Sequence, residues 1–341
     1  MRSSRVILLL LMFGALAGVA LVGEALVAQE TLYMSVLSSR RHAWGRNDNP
    51  VIGLFVSTDA GKTWQHIGWR EYIRMFYTEA GPDGTLWSAC GNGVLRSTDR
   101  GGSWRITTGW EVTEVLKLEV DPRNPSRVAA ATAYGPIITT DLGGRWTFLR
   151  EGLPRAFCSD ICIDRTDGAL LAATERGVFR RAAADSLWHP TSLRDKDIRV
   201  LARHPLQPDV VLAGTEEDGV WRSTDRGMTW SPTSAGLNHP TVYAIAFAPG
   251  SRGAVYLGTH GGGVYRSDDG GTTWKQKSAG LSPLDIHSIV VPPSRPSTVF
   301  AGTLNGGLFE SRDGGETWLF NSQPDAQVWG LTVGTGAGAG Y

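Results

Sequence analysis

An all-β ring of repeated sheets, a seven-bladed β-propeller of four-stranded antiparallel blades, is the fold class predicted by the 341-residue sequence. Three observations carry it. A short motif ending in tryptophan recurs along the chain, with Trp64, Trp104, Trp146, Trp188, Trp230, Trp274 and Trp318 spaced 40, 42, 42, 42, 44 and 44 residues apart. Units of that length accommodate four short strands each. Runs such as Gly-Val-Leu-Arg at 93–96 and Gly-Val-Tyr-Arg at 263–266 alternate apolar and polar residues, and helical periodicity is sustained nowhere. Composition agrees, because 43 Gly and 13 Trp supply many tight turns and many large aromatic anchors at once.

Taken in order, the chain opens with Arg2 and Arg5 before an apolar run over 6–23. That layout predicts a secretory signal over 1–28, with small-residue cleavage sites after Ala17 or Ala28, or an uncleaved membrane anchor. In both cases the positive flank sends the rest of the chain out of the cytoplasm. The first unit starts at 31–36, which aligns with second strands such as 255–259, so it lacks a first strand. The fifth unit shows the full order: strands over 198–203, 210–215 and 219–223, the motif as a turn, then a fourth strand opening at 229–232. After the seventh unit, 327–333 reads like the first strands at 242–247 and 286–291. The expectation is that this last strand completes blade one, so that the propeller spans 31–333 and no edge is left open. A Gly/Ala tail over 334–341 is expected to fray.

The motif reads Ser-Thr-Asp-Ala-Gly-Lys-Thr-Trp at 57–64 and returns at 97–104, 139–146, 223–230, 267–274 and 311–318, with a decayed copy at 181–188. It resembles the Asp-box, or bacterial neuraminidase (BNR), repeat, Ser-x-Asp-x-Gly-x-Thr-Trp. Its carboxylates are Asp59, Asp99, Asp141, Asp225, Asp269 and Asp313, and the decayed copy retains only its tryptophan. An Asp at a tight turn accepts backbone N–H groups, a following Gly tolerates positive φ, and the Trp ring packs between sheets. These residues are therefore expected to be architectural and to lie on the face opposite the ligand-cradling loops.

Equal numbers of basic and acidic residues, 33 each, exclude a bulk basic footprint, and nucleic acid is not expected as a partner. Three cysteines make no disulfide framework, and no metal or cofactor is expected. Candidate contacts lie on the non-motif face. The insertion at 40–49 carries Arg40, Arg41, Trp44 and Arg46, and reads equally as a partner contact or a solvated loop. Arg70, Arg155, Asp195, Glu217, His260 and His287 share that face, and the two histidines fall on adjacent units.

The resemblance extends over several families. Sialidases have six blades and an Arg-Ile-Pro start that is absent here, since Arg105-Ile106 runs into Thr107. Xyloglucan-degrading glycosidases share the Ser-Ala-Gly-Leu seen at 234–237 and 278–281, but work between two propellers. Sortilin-type propellers have more blades, and the photosystem II assembly factor propeller is nearest in architecture. The implied function is an exported, non-catalytic scaffold: one monomeric ring that binds a protein or glycan on the loop face. It would touch membrane only through its N-terminal segment. The alternative is a glycoside hydrolase of the same superfamily.

Overall fold

The computed structural model describes residues 30–39, 52–69, 73–154 and 157–334. The signal or anchor over 1–28, the whole 40–49 insertion, Arg70, Arg155 and residues 335–341 of the tail lie outside the described residues. Twenty-eight strands form seven four-stranded antiparallel sheets, and the described residues contain no helix. Six blades run in simple order, inner strand to outer, over 75–106, 115–148, 158–194, 198–232, 242–276 and 286–322. Blade one is composite: the C-terminal strand Ala326–Gly334 pairs with Thr31–Ser39, which pairs with Gly53–Ser57 and then Gln65–His66. The ring is closed by joining the two ends of the chain in one sheet.

Each second strand is buried on both faces, as in Leu86–Cys90, Val128–Thr132, Val211–Thr215 and Val255–Thr259, because a neighbouring blade covers each side. Box tryptophans span those interfaces. The indole N–H of Trp188 donates to the Leu149 carbonyl of the preceding blade at 2.7 Å, and Trp274 and Trp318 do the same to Thr233 and Lys277 at 2.7 and 2.8 Å. Trp188 does this although its copy has lost the Asp, and its blade compensates with a six-residue outer strand, His189–Arg194, where most others have two residues. Arg96, Arg222 and Arg266 point the other way, donating to box carbonyls of the next blade at Leu142, Gly270 and Gly314.

The box itself is a closed hydrogen-bond unit. Asp59 accepts from the Ser57 hydroxyl at 2.8 Å, the Thr63 amide at 2.9 Å and the Thr63 hydroxyl at 2.6 Å, while Ser57 Oγ accepts the Gly61 amide at 2.8 Å. These donors hold the carboxyls of Asp59, Asp99 and Asp313 down to about 2. The turn places two successive residues at positive φ, so Ala60 at 68° precedes Gly61 at 86°. Gly61 is also required by packing: a Cβ there would meet the Phe300 ring of blade seven at 2.5 Å. Cys90, Cys158 and Cys162 are free and buried, and burial pushes the Cys90 thiol up to about 11.

Candidate functional site

In every blade the pairing of the inner strand is interrupted by a bulge, and in the composite blade by a second irregularity between Val36 and Ser38. The register skips a residue between Met75 and Tyr77, Val115 and Lys117, Cys158 and Asp160, Ile198 and Val200, Val242 and Ala244, and Ile286 and Ser288. The composite blade skips Trp329, since Val36 pairs Val328 and Ser35 pairs Gly330. A β-bulge leaves its extra residue unpaired and re-aims the side chain. The seven residues so released, Phe76, Leu116, Ser159, Arg199, Tyr243, His287 and Trp329, all line one cavity of about 350 Å³. Six are the second residue of their inner strand and Trp329 is the fourth of its longer one, so the cavity is the channel mouth on the face opposite the box turns.

Four of the seven form an aromatic belt across consecutive blades. Tyr243 stacks on His287 with centroids 4.6 Å apart, His287 tilts against Trp329 at 4.8 Å, and Trp329 meets Phe76 edge-on at 5.7 Å. Burial pushes His287 down to about 4, with Asp285 opposing and His260 adding to the effect, so its ring is neutral at pH 7. Its Nε2 and the Trp329 indole nitrogen are buried without a hydrogen-bond partner.

The polar half of the ring is committed inward. Ser159 donates to the Ile198 carbonyl at 2.5 Å. Arg199 is held by Glu216 at 2.5 Å and Asp197 at 3.2 Å, and the Tyr243 hydroxyl reaches Glu216 at 3.4 Å. One step deeper, both oxygens of Asp160 accept backbone amides, from Ile161 at 2.7 Å and Leu201 at 2.9 Å. Inner strands present unpaired backbone groups to the channel, and Asp160 serves that edge. Lys117 lies over the Tyr77 ring at 3.7 Å. Beyond these residues a second cavity of about 290 Å³ opens toward the box face, lined by Glu79, Glu119, Arg165 and Arg203. Glu119 accepts the Ile163 amide at 2.8 Å. Burial, reinforced by Glu119, pushes Glu79 up to about 8.

Of the residues singled out from sequence, His260 and His287 flank the Tyr243 ring, at 6.2 and 4.6 Å, and His260 Nδ1 lies 2.8 Å from Asp285. Asp195 and Glu217 are exposed on the loop entering blade five and the turn beside it, with Asp195 3.9 Å from Arg176. Arg40, Arg41, Trp44, Arg46, Arg70 and Arg155 fall outside the described residues. Sequence reasoning did not single out Phe76, Arg199, Tyr243 or Trp329, nor Trp110, which stands 92 % exposed on an inter-blade loop of the same face. Among the described residues no three His, Cys, Asp or Glu side chains converge as a metal site.

The BNR/Asp-box repeat family matches residues 55–66, 221–232 and 265–276, three of the seven turns. The chain carries BNR/Asp-box repeats within a seven-bladed propeller. No curated protein matches it. Among solved structures, this propeller is similar to an ancestral GH74 enzyme, with 20% identity and TM-score 0.60 over 76% of this chain and 38% of that one. It is also similar to YCF48 bound to D1 peptide, with 16% identity and TM-score 0.56 over 80% and 86% of the two chains. A third likeness is to the extracellular domain of a putative one component system, BT4673, from B. thetaiotaomicron, with 18% identity and TM-score 0.63 over 82% and 38%. The BNR propeller thus spans little more than a third of the GH74 and BT4673 chains, and at these identities the likeness is one of fold.

Proposed function

We propose that the protein is an exported, non-catalytic scaffold that binds a polypeptide segment at the channel mouth. The carrying observation is that the mouth combines an aromatic belt with charged and hydroxyl side chains already spent inside the protein: Ser159, Asp160 and Arg199 have their partners, and the unpaired polar atoms of the belt are the His287 Nε2 and the Trp329 indole nitrogen. A sugar entering there would surrender the hydration of several hydroxyls for few replacements, which costs affinity. An apolar side chain on a peptide loses nothing comparable and gains aromatic contact. Retaining or inverting hydrolysis needs two carboxylates free to act on a bound bond, and Asp160 is tied to two amides. Export is supported by Arg2 and Arg5 ahead of the apolar 6–23 run.

The second reading, a glycoside hydrolase, draws on the GH74 likeness. A photo-crosslinking residue placed at Trp329 in the full chain, expressed in its native envelope, is expected to capture polypeptide. Turnover of xyloglucan, sialosides or aryl-glycosides, abolished by Asp195→Ala or Glu217→Ala, would refute the scaffold.

A further inference from the structure

We infer that the segment bound at the mouth carries an apolar anchor residue flanked by arginine or lysine, the anchor entering the aromatic belt and the cationic side chains lying over blades four and five. This inference rests on the peptide-binding reading above and adds the chemistry of the partner.

The belt occupies blades six, seven, one and two, through Tyr243, His287, Trp329 and Phe76. Across the mouth, the rim of blades four and five presents six carboxylates: Glu175, Asp195, Asp197, Glu216, Glu217 and Asp218. Among the described residues of these turns and the loop between the two blades, four cations, Arg176, Arg194, Lys196 and Arg199, stand with them, leaving a net negative sector on a chain whose total charge is zero. Those cations are engaged. Lys196 pairs with Asp218 at 2.6 Å, Arg199 bridges Asp197 and Glu216, and the Arg194 Nε donates to the Thr191 carbonyl at 3.0 Å.

Charge in this sector is crowded. Burial holds the Asp197 carboxyl above its ordinary value, Arg199 pulls it back, and Glu216, Glu175 and Glu217 push it up again. Glu217 is exposed, and Asp195 stands out from its loop on a backbone at φ 53°, a left-handed conformation in which its carboxylate is presented to solvent. The sector is continuous with the belt, because Glu216 touches both the Tyr243 hydroxyl and Arg199. Two cations line the mouth cavity: Arg199 is neutralised by two carboxylates, and Lys117, lying over the Tyr77 ring, is opposed by the buried Asp160, so neither favours an acidic ligand. A cavity near 350 Å³ holds a side chain, not a folded domain, so the flanking residues of an extended segment must cross the rim.

The test uses the purified full chain and a bead-bound library of random octapeptides at 50 mM NaCl. Captured sequences should be enriched in one phenylalanine, tryptophan or proline with neighbouring arginine or lysine. Trp329→Leu and Tyr243→Leu, each checked for an unchanged thermal midpoint, should lose capture. The pair Asp195→Lys and Glu217→Lys should weaken a selected basic peptide about tenfold at low salt, with the difference shrinking at 500 mM NaCl. Capture that depends on Trp329 but favours acidic or uncharged peptides, or ignores the charge reversal, would overturn this inference and leave the scaffold reading standing. Absence of any Trp329-dependent capture would overturn both.

Discussion

Ending the chain at Pro324 removes the strand Ala326–Gly334 and with it the inner strand of blade one. Val328 and Leu331 on that strand are buried, and lie against Met34, Phe300 and Leu308 in one cluster. Burying a side chain of that size contributes about 1.5–3 kcal/mol, so the two aliphatics alone account for roughly 3–6 kcal/mol. The cross-blade bonds from Ser288 to the Val328 carbonyl and from Thr332 to the Thr78 carbonyl go as well. Entropy regained by the freed residues offsets part of the loss. The remainder is still a large share of a typical stability of about 5–15 kcal/mol. We expect the truncated chain to unfold at least about 5 °C below the parent, or to be insoluble, when followed by circular dichroism and tryptophan fluorescence. A chain ending at Gly334, which retains the strand, is the control and should match the parent. A truncated chain melting within about 2 °C of the parent would show that closure at blade one contributes little, and the reasoning would fail.

Three further outcomes follow from the same geometry. The box carboxyls of Asp59, Asp99 and Asp313 titrate near 2 when folded and near 4 when unfolded, so the stability they add is present above pH 4 and lost as pH falls from 4 toward 2. Thermal midpoints across pH 2–5 should show a steep acid slope, and Asp99→Ala should flatten it; an unchanged slope counts against the box as a stability device. Glu79 has the opposite sign: with its folded carboxyl raised to about 8, stability declines as pH rises from about 4.5 to 8, and Glu79→Gln should melt above the parent at pH 9 but not at pH 5. Trp188→Ala should cost about 3–5 kcal/mol by opening a cavity and orphaning the Leu149 carbonyl, with mouth binding unchanged in calorimetry.

The ring was legible because its repeated residues carry geometry that tolerates little substitution. Asp59 and its counterparts close a turn, Gly61 touches a neighbouring ring, and the tryptophans span blade interfaces, so the same letters return at a fixed phase. The closing strand was legible from its apolar alternation, which matched 242–247 and 286–291. The mouth was not. Its members share a position but no residue type, from Phe76 to Arg199 to Ser159, and a bulge interrupts the two-residue period by which strands are read. The available signal was positional: the second residue of six inner strands, just after the buried residue that opens each, and in the composite blade the residue after Val328. In blade four, where the box copy is decayed, the outer strand His189–Arg194 runs to six residues, a feature the repeat motif does not encode.

That position explains how one scaffold separates stability from recognition. A bulged residue neither pairs in the ladder nor packs in the layers between blades, so its identity can change while those layers stay intact. Leu116 and Leu118 on one inner strand make the contrast within a single blade. Leu116 is the bulged, half-buried residue at the mouth, whereas Leu118, two residues on, is 1% exposed and packs with Val115, Val128 and Trp87. Leu118→Ala should cost about 2–5 kcal/mol and lower the thermal midpoint by several degrees, leaving the mouth lining in place. Leu116→Ala removes the same atoms from a partly solvated site, so its midpoint should move by about 2 °C or less while ligand affinity changes. If the two substitutions destabilise equally, the bulged ring is part of the core, and variation at the mouth is then bound by the same packing constraint as the blades.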